Sequence, residues 1–97
     1  MPEVHFTVKW PDGEEETCYS PSTVITNYFA AGESYSVTDF LERARSGLKS
    51  ASDRVEQRYG YVCTSAEAQL ARIEQRASPF LSSPNATVDC TAIETRR

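Results

Sequence analysis

Cys18, Cys63 and His5 are the residues in this 97-residue chain whose types suit covalent chemistry. A thiol becomes a nucleophile once ionised, and a helix N-terminus or a neighbouring imidazole favours that state. Cys63 stands directly before Thr64-Ser65-Ala66-Glu67, a T-x-x-E capping box. That places it one residue outside a helix start, where amide dipoles stabilise a thiolate. No histidine lies near it in sequence. The plainer reading makes Cys63 a small buried hydrophobe against Ala68, and it is preferred because free cysteine is among the most buried residue types.

Cys18 offers the second pairing. If Asp12 and Gly13 form the centre of a turn, Lys9 faces Glu16, Val8 faces Thr17 and Phe6 faces Tyr19. Cys18 then falls opposite Thr7 on the outer side of a sheet, one diagonal step from His5. His5 is the sole histidine, so any imidazole mechanism runs through it. A Cys–His pair is the minimum for a thiol nucleophile with its base. No Asp or Asn is placed to orient the ring, and two ordinary strand residues are the preferred reading. Cys18, Cys63 and Cys90 with His5 make a Cys₃His set on paper. They contain no closely spaced cysteine pair, and Cys90 reads as inward-facing, so no metal site is expected. No cofactor motif is present, and none is expected.

Binding residues are a separate matter. Arg43, Arg54 and Arg58 line one edge of a helical apolar stripe, with Gly47 between them. Such a row suits a carboxylate or a partner's acidic surface. The plainer reading is a solvated edge, or bridges to Glu67 and Glu74 on a neighbouring helix, which contribute little when exposed. Tyr28, Phe29, Tyr35 and Tyr61 fall around loops that are expected to converge near helix ends, as a lid on the core or as a binding face. Phe6, Phe40 and Tyr59 are assigned to the core. The candidate binding set is therefore Arg43, Arg54, Arg58, Tyr28, Tyr35 and Tyr61.

The elements that must position these groups are legible from periodicity. Val4, Phe6, Val8 and Trp10 alternate with polar residues, which predicts a strand. Pro11-Asp12-Gly13 is a turn, and a second strand follows over about 15–20. The register given above pairs Lys9 with Glu16 and stacks rings; a slip of one residue would put Glu14 and Glu16 beside Trp10 and Val8. Residues 22–29 mix helical spacing with β-branched residues, and a short helix capped by Ser22 is the preferred reading. Ala30 to Ser34 reads as a loop turning at Gly32. Ser36 caps the next helix, with Asp39 three residues on and Tyr35 and Phe40 at the staple positions. Val37, Phe40, Leu41, Ala44, Leu48, Ala51, Val55 and Tyr59 recur at helical intervals until Gly60 stops the helix. Ala66, Leu70, Ile73, Ala77 and Phe80 mark a second helix, halted at Pro79. Few residues separate the two, so they fold back as an antiparallel pair. Ala86, Val88, Cys90 and Ala92 alternate as a last strand. The expected fold is α+β, in the order ββ(α)ααβ, with a small antiparallel sheet of about three strands packed on a helical hairpin.

Totals bound the rest. The length fits one domain, 1–97. Composition is that of a globular protein, with 39% hydrophobic and 25% charged residues. A net charge of −4 argues against a nucleic-acid partner. No apolar run reaches membrane-spanning length, and the N-terminus lacks the parts of a signal peptide. The expected compartment is the cytoplasm, where three scattered cysteines stay reduced.

The stretches MPEVHFTVKWPDG, CYSPS, YFAAGESY, FLERAR, ASDRV and YGYVCTSAEAQL carry a resemblance. In order and spacing, over roughly 1–77, the chain resembles the small bacterial nitrogen-starvation response family. That family was first known from mycobacteria and is encoded in gene clusters built around a nitrilase. The resemblance implies a role in nitrogen or nitrile metabolism, beside a nitrilase, a radical iron–sulfur enzyme, an acetyltransferase and a flavoprotein. It implies no known activity and no catalytic residue. The expectation is a non-catalytic accessory or binding protein, with an enzyme of that cluster or a second copy of itself as partner. The alternative is a small thiol-dependent enzyme using Cys18 or Cys63 with His5.

Overall fold

The computed structural model describes residues 2–61, 64–83 and 85–96. The first alternating run forms strand β1, Glu3–Lys9, and a second strand, β2, runs over Glu15–Ser20. Val4, Phe6, Val8 and Trp10 are all at most 1% exposed, so the period-2 pattern faces the core as its spacing requires.

The turn between these strands differs from the expected one. The main-chain N–H of Gly13 donates to Trp10 C=O at 2.8 Å, and that of Trp10 donates to Glu14 C=O at 2.8 Å. The loop thus holds three residues, Pro11, Asp12 and Gly13, with Gly13 at φ +90°. This is a turn closed by a left-handed glycine, a common three-residue hairpin connection. The extra loop residue shifts the register by one: Phe6 opposes Cys18, Val8 opposes Glu16 and His5 opposes Tyr19. Cys18 therefore points inward, away from the outer face on which it was expected to meet His5.

Ser22 caps a 3₁₀ turn over Thr23–Asn27, its hydroxyl accepting from the Val24 N–H. A three-residue strand, β3 over Ser34–Ser36, follows. Its brevity and two serines leave no periodicity to read, and it exists because Tyr35 pairs with Val88 across the sheet. Helix α1 spans Val37–Tyr59; the Ser36 hydroxyl accepts from Asp39 N–H, and Gly60 ends the helix at φ 80°. Helix α2 spans Thr64–Ala77. Cys63, next to its first turn, lies outside the described residues. Strand β4, Thr87–Arg96, completes an antiparallel sheet in the order β2-β1-β4-β3, so the fold is α+β with four strands rather than about three.

β4 does not keep one alternation throughout. Val8 opposes Cys90 but Thr7 opposes Ala92, so Thr91 is an inserted bulge residue. Past the bulge the phase inverts. Ala92 faces out, contrary to expectation, and Ile93 takes the inward place opposite Phe6.

The core lies between the helices and one sheet face. Phe29 stacks on Phe6 at 5.5 Å and meets Phe40 at 5.0 Å, while Trp10 sits edge-on to Phe40 at 5.5 Å. α2 also guards the β2 edge, since Gln69 Oε1 accepts the outward Tyr19 N–H at 3.0 Å. Tyr59, expected in the core, is 48% exposed instead. No helix among the described residues is long and apolar enough to cross a membrane.

Candidate functional site

The candidate thiols are placed by the hairpin register. Cys18 and Cys90 are free and fully buried. Burial, helped by the nearby Glu16 carboxylate, pushes the Cys18 thiol up to about 12. Burial also raises Cys90. His5 lies on the opposite sheet face, its Nε2 2.9 Å from Glu3 Oε2 and its ring edge-on to Tyr19. The fold thus separates Cys18 from His5 by the thickness of the sheet, and a neutral thiol is a poor nucleophile. Among the described residues, no group of three or more His, Cys, Asp or Glu side chains could hold a metal.

Arg43, Tyr28 and Tyr35 do come together, around the 3₁₀ turn. Arg43 Nε donates to Asp39 Oδ2 at 3.0 Å and Nη1 to Tyr28 C=O at 2.9 Å, and the guanidinium lies 4.9 Å from the Tyr35 ring centroid. Tyr35 Oη accepts the Ala30 N–H, and Tyr28 Oη lies 3.2 Å from Ser50 Oγ. Gly47 is buried against this turn, where a Cβ would meet Ile25 Cδ1 at 2.5 Å. These residues bind the turn onto α1, with most of their polar atoms already engaged.

Arg54, Arg58 and Tyr61 occupy a different place, the end of α1 nearest the helical hairpin bend. Tyr61 is 61% exposed, its ring centroid 5.9 Å from that of the exposed Tyr59. The Arg58 guanidinium stands 5.8 Å from the Tyr59 ring. Beside this tip, α1 and α2 leave a groove of about 430 Å³. Leu48, Ala66 and Leu70 form its floor, and Arg45, Lys49, Asp53, Glu56 and Glu67 stand around it. The bridge across the hairpin is made by Arg45, whose Nη2 lies 2.9 Å from Glu74 Oε2. Arg45 was not in the expected arginine row. It is exposed and stands on the edge of the apolar stripe that faces α2, opposite the edge that carries Arg43, Arg54 and Arg58.

A second constellation was also missed. Trp10 Nε1 donates to Glu16 Oε1 at 3.3 Å, and Arg72 Nε donates to Glu16 Oε2 at 2.8 Å. Arg76 reaches Asp12 and Glu14, each at 3.4 Å, and Glu16 at 3.7 Å. The Glu14 N–H, and then Arg76, hold the Asp12 carboxyl below its ordinary value. The signal was available as two arginines four apart on a helix and an acidic hairpin arm, but only the fold joins them.

Comparison with known proteins gives one family. The model described as nitrogen starvation-induced protein NitG matches residues 5–93. No curated protein and no solved structure matches the chain. The match runs from β1 through both helices into β4, past the reach of the resemblance noted in the sequence, and the chain belongs to the NitG family of nitrogen starvation-induced proteins.

Proposed function

We propose that the protein is a non-catalytic accessory component of a nitrilase-linked pathway of nitrogen metabolism, acting in the cytoplasm by docking on an enzyme of that pathway. The observation that carries this reading is the exposed pair of tyrosines at the hairpin tip, with the Arg58 guanidinium beside the Tyr59 ring. Tyrosine and arginine are the residue types that dominate binding energy at protein interfaces, because they join large contact area to a polar tip. The adjoining groove, with its apolar floor and charged surround, extends the same surface.

The test is sedimentation velocity of the purified protein mixed with each enzyme encoded beside it, the nitrilase first. A complex is expected with one of them, weakened at least about tenfold by Tyr61→Ala combined with Arg58→Ala. Absence of any complex, or one that ignores both substitutions, would sink the reading.

A further inference from the structure

Strand β4 is ten residues long, and β3 covers only Thr87 to Asp89 of it. The loop before β3 covers one residue more, since Cys90 N–H donates to Glu33 C=O and Cys90 C=O accepts from Gly32 N–H. From Ala92 to Arg96 the strand pairs with β1 on one side and, among the described residues, with no strand on the other.

Which main-chain groups face that open edge follows from the opposite edge of the sheet. Tyr19 N–H points away from β1, toward Gln69. The pair His5–Tyr19 is therefore not hydrogen-bonded, so His5 turns its N–H and C=O toward β4 and its opposite number, Glu94. Glu94 is thus used by β1, and its neighbours Ile93 and Thr95 direct their N–H and C=O outward. An edge of this kind is a template for another strand.

We propose that this edge pairs with the same edge of a second copy of the chain, antiparallel and centred on Thr95, joining two four-stranded sheets into one of eight. Charge selects the register. A pairing centred on Glu94 would oppose Glu94 to Glu94 of the partner subunit. One centred on Ile93 would run the second strand against the loop that covers Cys90. Centring on Thr95 sets Glu94 opposite Arg96 of the partner subunit twice over, on the outer face, and sets the two threonines opposite each other. Opposite charges and threonine pairs both favour strand pairing when directly opposed. Within one chain Glu94 and Arg96 already form a pair at 3.0 Å on that face, so both are in position. Charges on an edge ordinarily keep strands apart; in this one register they attract.

The test is a concentration series in sedimentation equilibrium on the full chain. The wild type is expected to form a dimer. Glu94→Arg alone and Arg96→Glu alone each oppose like charges twice and weaken it about tenfold or more, and combining the two restores it. Thr95→Pro removes one outward N–H without touching the bonds to β1, and is expected to abolish the dimer while leaving the circular dichroism spectrum unchanged. A wild type that stays monomeric at every soluble concentration overturns the proposal. So does a dimer that ignores the single charge reversals, or one lost instead on Tyr61→Ala, which would place self-association at the hairpin tip.

Discussion

The Arg76 guanidinium lies over the indole of Trp10, 5.2 Å from the ring centroid, and ties helix α2 to the first hairpin. Trp10 is 1% exposed and the Arg76 side chain 29%, so the cation stands at the rim of the core, partly sheltered from water. The same guanidinium reaches Asp12, Glu14 and Glu16, three carboxylates of one hairpin.

Arg76→Ala is expected to lower stability by about 1–2 kcal/mol, combining loss of a partly desolvated cation–π contact with loss of the carboxylate contacts. Arg72, 70% exposed, is expected to matter less, about 0.5 kcal/mol. Urea unfolding followed by Trp10 fluorescence measures both. The signal is unambiguous, because the chain has one tryptophan.

The Gly47→Ala variant sets two effects against each other. Alanine gains about 1 kcal/mol of helix propensity. Its Cβ would also lie 2.5 Å from Ile25 Cδ1 and 3.1 Å from Tyr28 Cδ2, so the buried Ile25 methyl must move aside and the Tyr28 ring must give by a few tenths of an ångström. Overpacking costs about 1–3 kcal/mol. The expected outcome is a net loss of about 1 kcal/mol, with a larger loss for Gly47→Leu, read from thermal or denaturant unfolding.

Cys18 sets a pH dependence. Its thiol has an ordinary value of 9.0 and is held at about 12 in the fold. Below the unfolded value both states carry the proton, and the stability is complete. Between the two values the folded state binds a proton that the unfolded state has lost. Stability therefore falls as pH rises through this window, by up to about 1.4 kcal/mol per pH unit. Cys18→Ala, though less stable throughout, is expected to show a shallower alkaline slope in denaturant titrations.

The same burial predicts labelling behaviour. In a Cys63→Ala background, native Cys18 and Cys90 are expected to resist iodoacetamide near neutral pH and to react once denaturant opens the core. Rapid alkylation of either in the folded protein would contradict the placement of both thiols, and mass spectrometry of the adducts decides it.

Gly60 closes α1 with φ 80°, a conformation that disfavours a side chain. Among the described residues no atom lies within 4 Å of a Cβ built there, so the penalty is one of backbone strain. Gly60→Ala is expected to cost about 1 kcal/mol, and Gly60→Asn less, by differential scanning calorimetry.

Short-range physics made much of this protein readable from its residues. The alternation in β1, the stripe of α1, the Ser22 and Ser36 caps and the Gly60 stop each depend on residues within a turn or two of one another, so propensity and spacing suffice. The family, too, was legible in the order and spacing of its stretches. The grouping of Arg43 with Tyr28 and Tyr35 was half legible: both ends were named, but not that a backbone carbonyl and Asp39 would engage the arginine.

What remained for the tertiary structure turned on single-residue shifts and on contacts between distant segments. One extra residue in the Pro11-Asp12-Gly13 loop moved Cys18 to the inner face and Glu16 beneath α2. Sequence reasoning disfavoured that register because it set carboxylates beside Trp10 and Val8. Helix α2 reverses the judgement by bringing Arg72 and Arg76, some sixty residues away, over those same carboxylates. Likewise the bulge at Thr91 inverted the last strand, and β3 formed only because β4 lay beside it. Strand side chains alternate with a period of two, so one inserted residue exchanges the faces, and nothing local to the strand records which register the rest of the fold will favour.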